Sequence, residues 1–422
     1  MTPTPDDIPR RPRTLSARAL QDMTPGEWSV GGVRAALRQH VEGDFVRSAL
    51  LVDSVRGDDR IGADLRTRVM AVTGLPFRVD PSPTGDQRRA VSVAKELAAA
   101  WPRICPASTA RAIMRWAVML QVAVGTCAWQ SDGRRWTPQI KVWHPQHARF
   151  DAFREAMQVQ TDGGPLDVTP GDGTWLLYQP EGDRSWMEAA VRGLAIPYLM
   201  RTLGRRDWNR WTEKHGLPIL GASVPEEADK DDKDGFFADL RKLGSEGLIL
   251  LPKDKEGRGF RVEMIEPANV QAWKGFEAAL YHCDVSAAVA LLGQASNAQE
   301  GGSYAKAQTL NLIRQDLLES DALGLAEFLR EQVVKPWAVF NFGDAELAPV
   351  PVWDATPPED AKRNAETRKT AGEAFRLWQT AATAAGYEVD FEAYARASGV
   401  PVRRLPKPAP PTTETDPATA ED

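Results

Sequence analysis

His144 and His147, in the run His144-Pro145-Gln146-His147, are the two imidazoles that lie closest together in the chain and the first place to look for a metal. A zinc centre takes three or four protein ligands, and neither a cysteine partner nor a spaced set of carboxylates accompanies this pair. The densest acidic run is Asp229, Asp231, Asp232 and Asp234. Laid on a twelve-residue calcium loop that starts at Asp229, it puts Lys233 at a ligand position and Leu240 where a bidentate glutamate should close the site. It therefore reads as a solvated acidic face. The phosphate-binding, nucleophile-elbow, zinc-protease and dinucleotide motifs are all missing. No catalytic residue, no metal and no cofactor is expected.

Composition narrows the classes further. Apolar residues make up 42% and charged residues 26% of 422 residues, the balance of a water-soluble globular protein with room for about three domain-sized units. A net charge of −6 argues against a general nucleic-acid binder that works through a basic surface. Three scattered cysteines, Cys105, Cys127 and Cys283, contain no CxxC pair and fit buried thiols in a reducing compartment. The longest weakly polar run, Ala117 to Trp129, is too short to span a bilayer, and the N-terminal stretch lacks the apolar core of a secretory signal. A soluble protein made in the cytoplasm, with no membrane association, is the expectation. The 14 tryptophans, among them Trp208, Trp211, Trp273 and Trp337, read either as core or as subunit contacts.

Periodicity gives the elements. Residues 1–27 read as a flexible arm whose Arg10, Arg11, Arg13 and Arg18 are either solvated or face an acidic partner or nucleic acid. Helical spacing runs from Val33 to Leu51 and from Asp59 to Val72, followed by a short strand at Phe77–Val79. Residues 86–100 and 108–122 predict two more helices. A hairpin turning at Ser131, Asp132 and Gly133 follows, and then a strand near Trp175 to Tyr178. A long helix extends from about Trp186 to His215, kinked at Pro197 and stopped by Gly216 and Pro218. An acidic helix and two strands around Asp254 to Gly259 make a small α/β module before the next long helix, 266–292. That helix stops at Gly293-Gln294-Ala295-Ser296-Asn297-Ala298-Gln299-Glu300-Gly301-Gly302-Ser303, small polar residues that supply backbone freedom and no core. Helical spacing resumes with Leu310, Ile313, Leu317, Leu325 and Phe328 near one face. Past Gly343 a proline-marked linker leads to helices at 359–384 and 390–397 and a disordered tail. The class is α+β, predominantly helical.

The order of these elements, with the strings RRDWNRWTEKHGLPILGAS, GLILLPKDKEGRGFRVEMIEP, LLGQ and SYAKAQTLNLIRQDLLESDALGLAEFLREQVVKPWAVFNFG, resembles the portal proteins of tailed bacteriophages, the Mu-like family in particular. RIGADLRTRVMAVTGLPFRV is similar to an early segment of that family. The resemblance covers about residues 40–400 and is weaker beyond Asp354. It implies a ring, typically of twelve copies, at one capsid vertex of the virion, assembled in the host cytoplasm. The implied division is an arm at 1–27, a wing at 28–183, a first stem helix at 184–216, a clip at 217–265 and a second stem helix at 266–292. A tunnel loop at 293–303, a wing return helix at 304–343, a linker and helical crown at 344–404 and a tail at 405–422 complete it.

The implied partners are further copies of the chain, the terminase large subunit, head–tail adaptor or neck proteins, the major capsid or scaffolding protein, and double-stranded DNA in the channel. The resemblance assigns Gly293, Gln294, Asn297, Gln299, Gly301, Gly302 and Ser303 to the DNA-facing loop; Lys306 and Arg314 beyond it read either as sparse basic contacts to DNA or as ordinary solvent-facing helix residues. Glu226, Glu227, Asp231, Asp232 and Asp234 would lie on the partner-facing clip. An acidic chain with a neutral loop suits a channel, since each phosphate neutralised by a cation adds affinity and would slow passage. Two other functions compete with this one. A metal-dependent nucleic-acid enzyme would need its acids enclosed, whereas these alternate with Lys230 and Lys233; a head–tail adaptor is usually shorter and lacks paired stem helices.

Overall fold

The computed structural model describes residues 28–161, 163–215, 219–223, 229–242, 261–265, 273–295 and 304–387, together with 390, 391 and 394. Residues up to Ala355 form one compact unit and residues from Thr356 onward a second.

The first unit opens with α1 (Val30–Val41), α2 (Val46–Val55) and α3 (Asp59–Thr73). Where helical spacing alone predicts one run from Val33 to Leu51, the chain turns between α1 and α2. Gly43 adopts φ +84°, and a β-carbon there would lie 2.5 Å from Phe150 Cβ, so only glycine lets the sheet approach this closely. Asp58 caps α3, accepting from the backbone N–H of Arg60 and of Ile61, both at 3.0 Å. Strand β1 (Phe77–Asp80), α4 (Gln87–Ile104) and α5 (Ala107–Leu120) follow as expected. Val93, Leu97, Trp101 and Ile104, at helical spacing along α4, are all buried.

Strands β2 (Ala123–Ser131) and β3 (Trp136–Trp143) form the predicted hairpin, and Asp132 Oδ1 accepts from the N–H of Arg134 and Arg135 at its turn. Strands β4 (Ala148–Asp151), β5 (Ala156–Thr161) and β6 (Gly164–Asp167) make a separate antiparallel sheet. Periodicity missed this sheet because its strands are short and amphipathic only in part. Strand β7 (Trp175–Tyr178) completes the first sheet in the order β3-β2-β7. A cluster of Phe45, Trp143, Trp175 and Trp186 with Val122 and Val159 joins the two sheets.

Next come α6 (Ala190–His215), β8 (Ile219–Ser223), α7 (Lys230–Lys242), β9 (Arg261–Ile265), α8 (Trp273–Leu292) and α9 (Tyr304–Leu329). Helix α6 continues through Pro197, and β8 pairs antiparallel with β9. The first of the two strands expected around 254–259 lies outside the described residues. Leu325 and Phe328 on α9 are buried as predicted and Leu317 is half-buried, but Ile313 is exposed and sits against the Gly293 turn instead of the core.

A π-helical turn at Arg330–Val334 connects α9 to α10 (Lys335–Phe342). This segment closes both edges of the β3-β2-β7 sheet. The Gln332 side chain accepts from Leu177 N–H at 2.8 Å and donates to Leu177 C=O at 2.7 Å on the β7 edge. Asn341 does the same for Trp136 on the β3 edge, at 2.7 and 2.9 Å. Edge strands that would otherwise offer free backbone groups are thereby occupied.

The stretch after Gly343, expected to be a linker, is strand β10 (Val350–Trp353), paired antiparallel with β1. Its prolines do not prevent this, because a two-stranded ribbon leaves each strand an outer edge where no donor is needed. Phe77 stacks on Trp101 at 4.8 Å and meets Trp353 at 5.0 Å, which fixes the ribbon to α4. The second unit contains α11 (Pro358–Ala384), with Phe375 in edge contact with Phe391 at 5.1 Å. Most of the helix expected at 390–397 lies outside the described residues.

Candidate functional site

Two long helices carry the segment that the sequence singles out. Arg201 of α6 meets Asp284 of α8, and Gly204 faces Leu280, so positions rise on one helix as they fall on the other and the pair is antiparallel. The α6–α8 pair is pinned to the N-terminus of α3 by one side chain. Arg201 is 2% exposed; its Nε donates to Asp58 Oδ2 at 3.0 Å, its Nη2 to Asp59 Oδ1 at 2.6 Å, and Nη1 reaches Asp284. A guanidinium this deeply buried is tolerable only with such compensation. Arg205, one turn on, donates to Asp59 Oδ2 at 2.8 Å and holds that carboxyl well below the usual range.

A second arginine works at the other end of the pair. Arg68 of α3 reaches the last turn of α8, donating from Nη1 to Leu291 C=O at 3.3 Å, and grips Asp321 of α9 through Nε and Nη2. The helix before the glycine-rich break and the helix after it are therefore held by the same side chain. Gly293 ends α8 at φ +71°, its N–H donating to Val289 C=O at 3.0 Å. Gln294 is half-buried just beyond. Asn297, Gln299, Gly301, Gly302 and Ser303 lie outside the described residues. Lys306 is in the first turn of α9, and Arg314, two turns later, is exposed beside the Arg68–Asp321 contact.

Asp231, Asp232 and Asp234 lie on α7, between β8 and β9 in chain order, and are exposed; Glu226 and Glu227 lie outside the described residues. The histidines are absorbed by local structure. His144 Nε2 lies 2.9 Å from Asp53 Oδ2 and its Nδ1 accepts from Gln146 N–H, while buried His147 is bonded to the Gln146 amide. Burial lowers the His147 pKa. Among the described residues no group of three or more His, Cys, Asp or Glu side chains could hold a metal ion, and no helix is long and apolar enough to cross a membrane. Of the four tryptophans singled out, Trp337 is core, Trp208 and Trp211 are half-buried, and Trp273 is exposed.

Comparison with known proteins decides the class. The profile of the family described as the portal protein of Mu bacteriophage matches residues 49–397. The chain belongs to this portal family. Portal proteins are structural, non-enzymatic components of phage particles, and the fold is that of a predominantly helical α+β portal. Mu-like prophage FluMu protein gp29 of Haemophilus influenzae is 23% identical over 340 residues, covering 77% of this chain and 63% of that protein. The portal chain thus spans less than two thirds of this relative's length. Among solved structures it is similar to a chain in the neck of a native gene transfer agent particle computed with C12 symmetry. There the TM-score is 0.55 at 11% identity, covering 88% of this chain and 99% of that one. A chain in the neck of an empty particle computed with C6 symmetry gives 0.54 at 12% identity, covering 89% and 95%. At these identities the likeness shows a common fold.

Sequence reasoning missed Arg68, Arg201, Asp58, Asp284 and Asp321. Each is an ordinary charged residue on a helix or, for Asp58, at a helix N-cap, and only the tertiary pairing marks it out.

Proposed function

We propose that the chain assembles into a closed ring at the capsid vertex, about twelve copies around a channel that passes DNA during packaging and ejection. In this reading α6 and α8 are the stem, residues 217–265 the clip that docks terminase and then neck proteins, and 293–303 the loop that faces DNA. Residues 28–183 with 304–343 are the wing, and α11 belongs to the crown. The capsid or scaffolding protein meets the wing.

The observation that carries the reading is the surface of α8. From Val285 to Leu292 it carries no charged side chain: Ala287, Ala288 and Leu291 are buried, while Val289, and Tyr281 a turn or two earlier, remain 48% and 40% exposed on the isolated chain. Apolar side chains left exposed beside a buried face ask for a partner on a second side, and neighbouring stem helices in a ring supply one. The break at Gly293, with its flanking helices held by Arg68, supports a loop presented from a rigid base. Family membership and the C12 symmetry of the neck that contains a similarly folded chain support both the ring and its size.

The test is the oligomer. Native mass spectrometry and negative-stain microscopy of the purified protein should show closed rings with a central hole. Monomers or dimers alone, across salt and protein concentration, would overturn the reading.

A further inference from the structure

Phe153 is 97% exposed at the tip of the β4–β5 hairpin, an unusual place for a phenyl ring. The tip is rigid: Asp151 Oδ1 accepts from the N–H of Phe153 at 2.9 Å and of Arg154 at 3.2 Å, and Arg154 is drawn along the hairpin to Asp167 at 3.3 Å. Glu155 beside it adopts φ +50°, a left-handed conformation that costs a non-glycine residue energy. Its carboxylate is exposed and has no partner among the described residues. The hairpin therefore holds an aromatic ring and a free carboxylate in one fixed arrangement.

Elsewhere on the same unit is a cavity of about 360 Å³ with the complementary chemistry. Its apolar side includes Val69 and Met70, the latter 56% exposed, and its rim carries Arg56, Arg66, Arg111 and Arg115. Arg56 is paired with Asp53 at 3.0 Å, but no carboxylate is bonded to Arg66, Arg111 or Arg115 among the described residues. Burial, and then the nearby Arg56, lowers the pKa of Arg115, with Asp53, the one carboxylate lining the pocket among the described residues, acting in the opposite direction. Guanidinium groups stack on phenyl faces, as Arg135 does on Phe342 at 4.4 Å in this chain, and they bind carboxylates in a fork.

The hairpin does not occupy the pocket of its own chain: none of residues 148–156 lines it, and Phe153 is 97% exposed. His144 stands beside Asp53 at the pocket end of α2, and from there the chain runs to the Asp44–Arg149 bridge at the other end of that helix before it reaches the tip. Ten residues of helix separate the two ends, about 15 Å. We propose that Phe153 and Glu155 of one copy seat in the Arg56–Arg66–Arg111–Arg115 pocket of the next copy, a head-to-tail contact between subunits. The contact rests on the ring reading only for closure; knob and socket on different faces give a heterologous interface, which builds rings or open chains. A pocket with an apolar side favours a side-chain knob over the exposed phosphates of a duplex.

The three native cysteines are buried and stay out of thiol chemistry, which permits a direct test. Phe153→Cys protein mixed with Met70→Cys protein should give disulfide-linked dimers on mild oxidation, neither alone should, and the double variant should give a ladder. Phe153→Ala should melt like wild type yet need at least tenfold more protein to assemble, with Phe153→Trp retaining assembly. Glu155→Arg should weaken assembly, and combining it with Arg115→Glu should restore it. If wild type forms rings but Phe153→Ala assembles equally well and no cross-link forms, the contact is wrong and the ring reading stands. Cross-linked open chains without rings would support the contact and count against closure. A wild-type protein that never self-associates overturns both. Binding of a short DNA duplex by monomers, dependent on Arg111 and Arg115 and indifferent to Phe153, would also overturn the proposal, assigning the pocket to nucleic acid.

Discussion

Arg68 grips Asp321 through two parallel hydrogen bonds, Nε to Oδ2 at 2.7 Å and Nη2 to Oδ1 at 2.9 Å, with both side chains largely shielded from water. Its remaining nitrogen holds the carbonyl of Leu291, two residues before the glycine that ends α8. Replacing Arg68 with alanine leaves Asp321 shielded and unpaired and should cost about 2–4 kcal/mol. Lysine keeps the charge but not the fork and should recover less than half of that. Urea unfolding of the three proteins checks the order; equal stabilities would show that the pair is incidental.

His40 supplies a pH dependence. Its Nδ1 lies 3.0 Å from Ser48 Oγ and its Nε2 2.9 Å from Trp186 C=O, and burial lowers its pKa to about 4. The unfolded chain takes up this proton near pH 6.5 while the folded chain resists it. Stability from this group is therefore complete above pH 6.5 and falls as pH drops toward 4, by up to about 3 kcal/mol at ~1.4 kcal/mol per pKa unit. His40→Gln should flatten that part of the stability curve, as measured by chemical unfolding between pH 7 and 4.5. An unchanged curve would assign the acid sensitivity elsewhere.

Reversal of Asp231, Asp232 and Asp234 to lysine addresses the clip. All three are exposed, and Asp231 and Asp232 occupy the first turn of α7, where they favour the helix dipole by roughly 0.3–1 kcal/mol each. We expect modest loss of local stability, intact rings and weakened binding of the terminase large subunit in a pull-down, because exposed charges govern recognition more than folding. Loss of rings with normal docking by the remainder would make α7 a structural element.

Shortening Asn297 to Gly302 tests the loop. By sequence these residues are small or polar, with no large apolar side chain to lose, and closing a shorter loop changes the entropy only slightly. Rings of normal size and melting temperature are expected, with normal terminase binding and particles that package poorly or fail to retain a full genome. Wild-type DNA yield from the shortened protein, or failure to form rings, would remove the loop from the channel.

Local chemistry explains which parts of this architecture could be read in advance. Helices α3, α4 and α5 repeat apolar residues at helical spacing, the turn at Asp132 and Gly133 is written in its own side chains, and Gly293 marks the end of α8. Strand β10 was hidden because its prolines suggest a linker until β1 is known to lie beside it. The arginines that hold α6, α8 and α9 to α3 were hidden for a related reason: Arg68 and Asp321 are 253 residues apart, and Arg201 lies 143 from Asp58. No local pattern announces a pairing at that distance.

The β1–β10 ribbon has a consequence for how the chain is made. Phe77 and Trp101 leave the ribosome early, whereas Trp353, the residue that covers them, is synthesised after all of α6 to α9. About 270 residues separate the paired strands, so at roughly 5–20 residues per second the β1 edge waits some tens of seconds for its partner. Translation order thus sets a clock on this protein: a chain cut short before residue 350 carries α6 and α8 yet exposes an unpaired strand and an uncovered aromatic shelf. An unpaired strand edge and exposed apolar surface are the features that make an incomplete chain prone to aggregate, so the last strand to be made is also the one that protects the first.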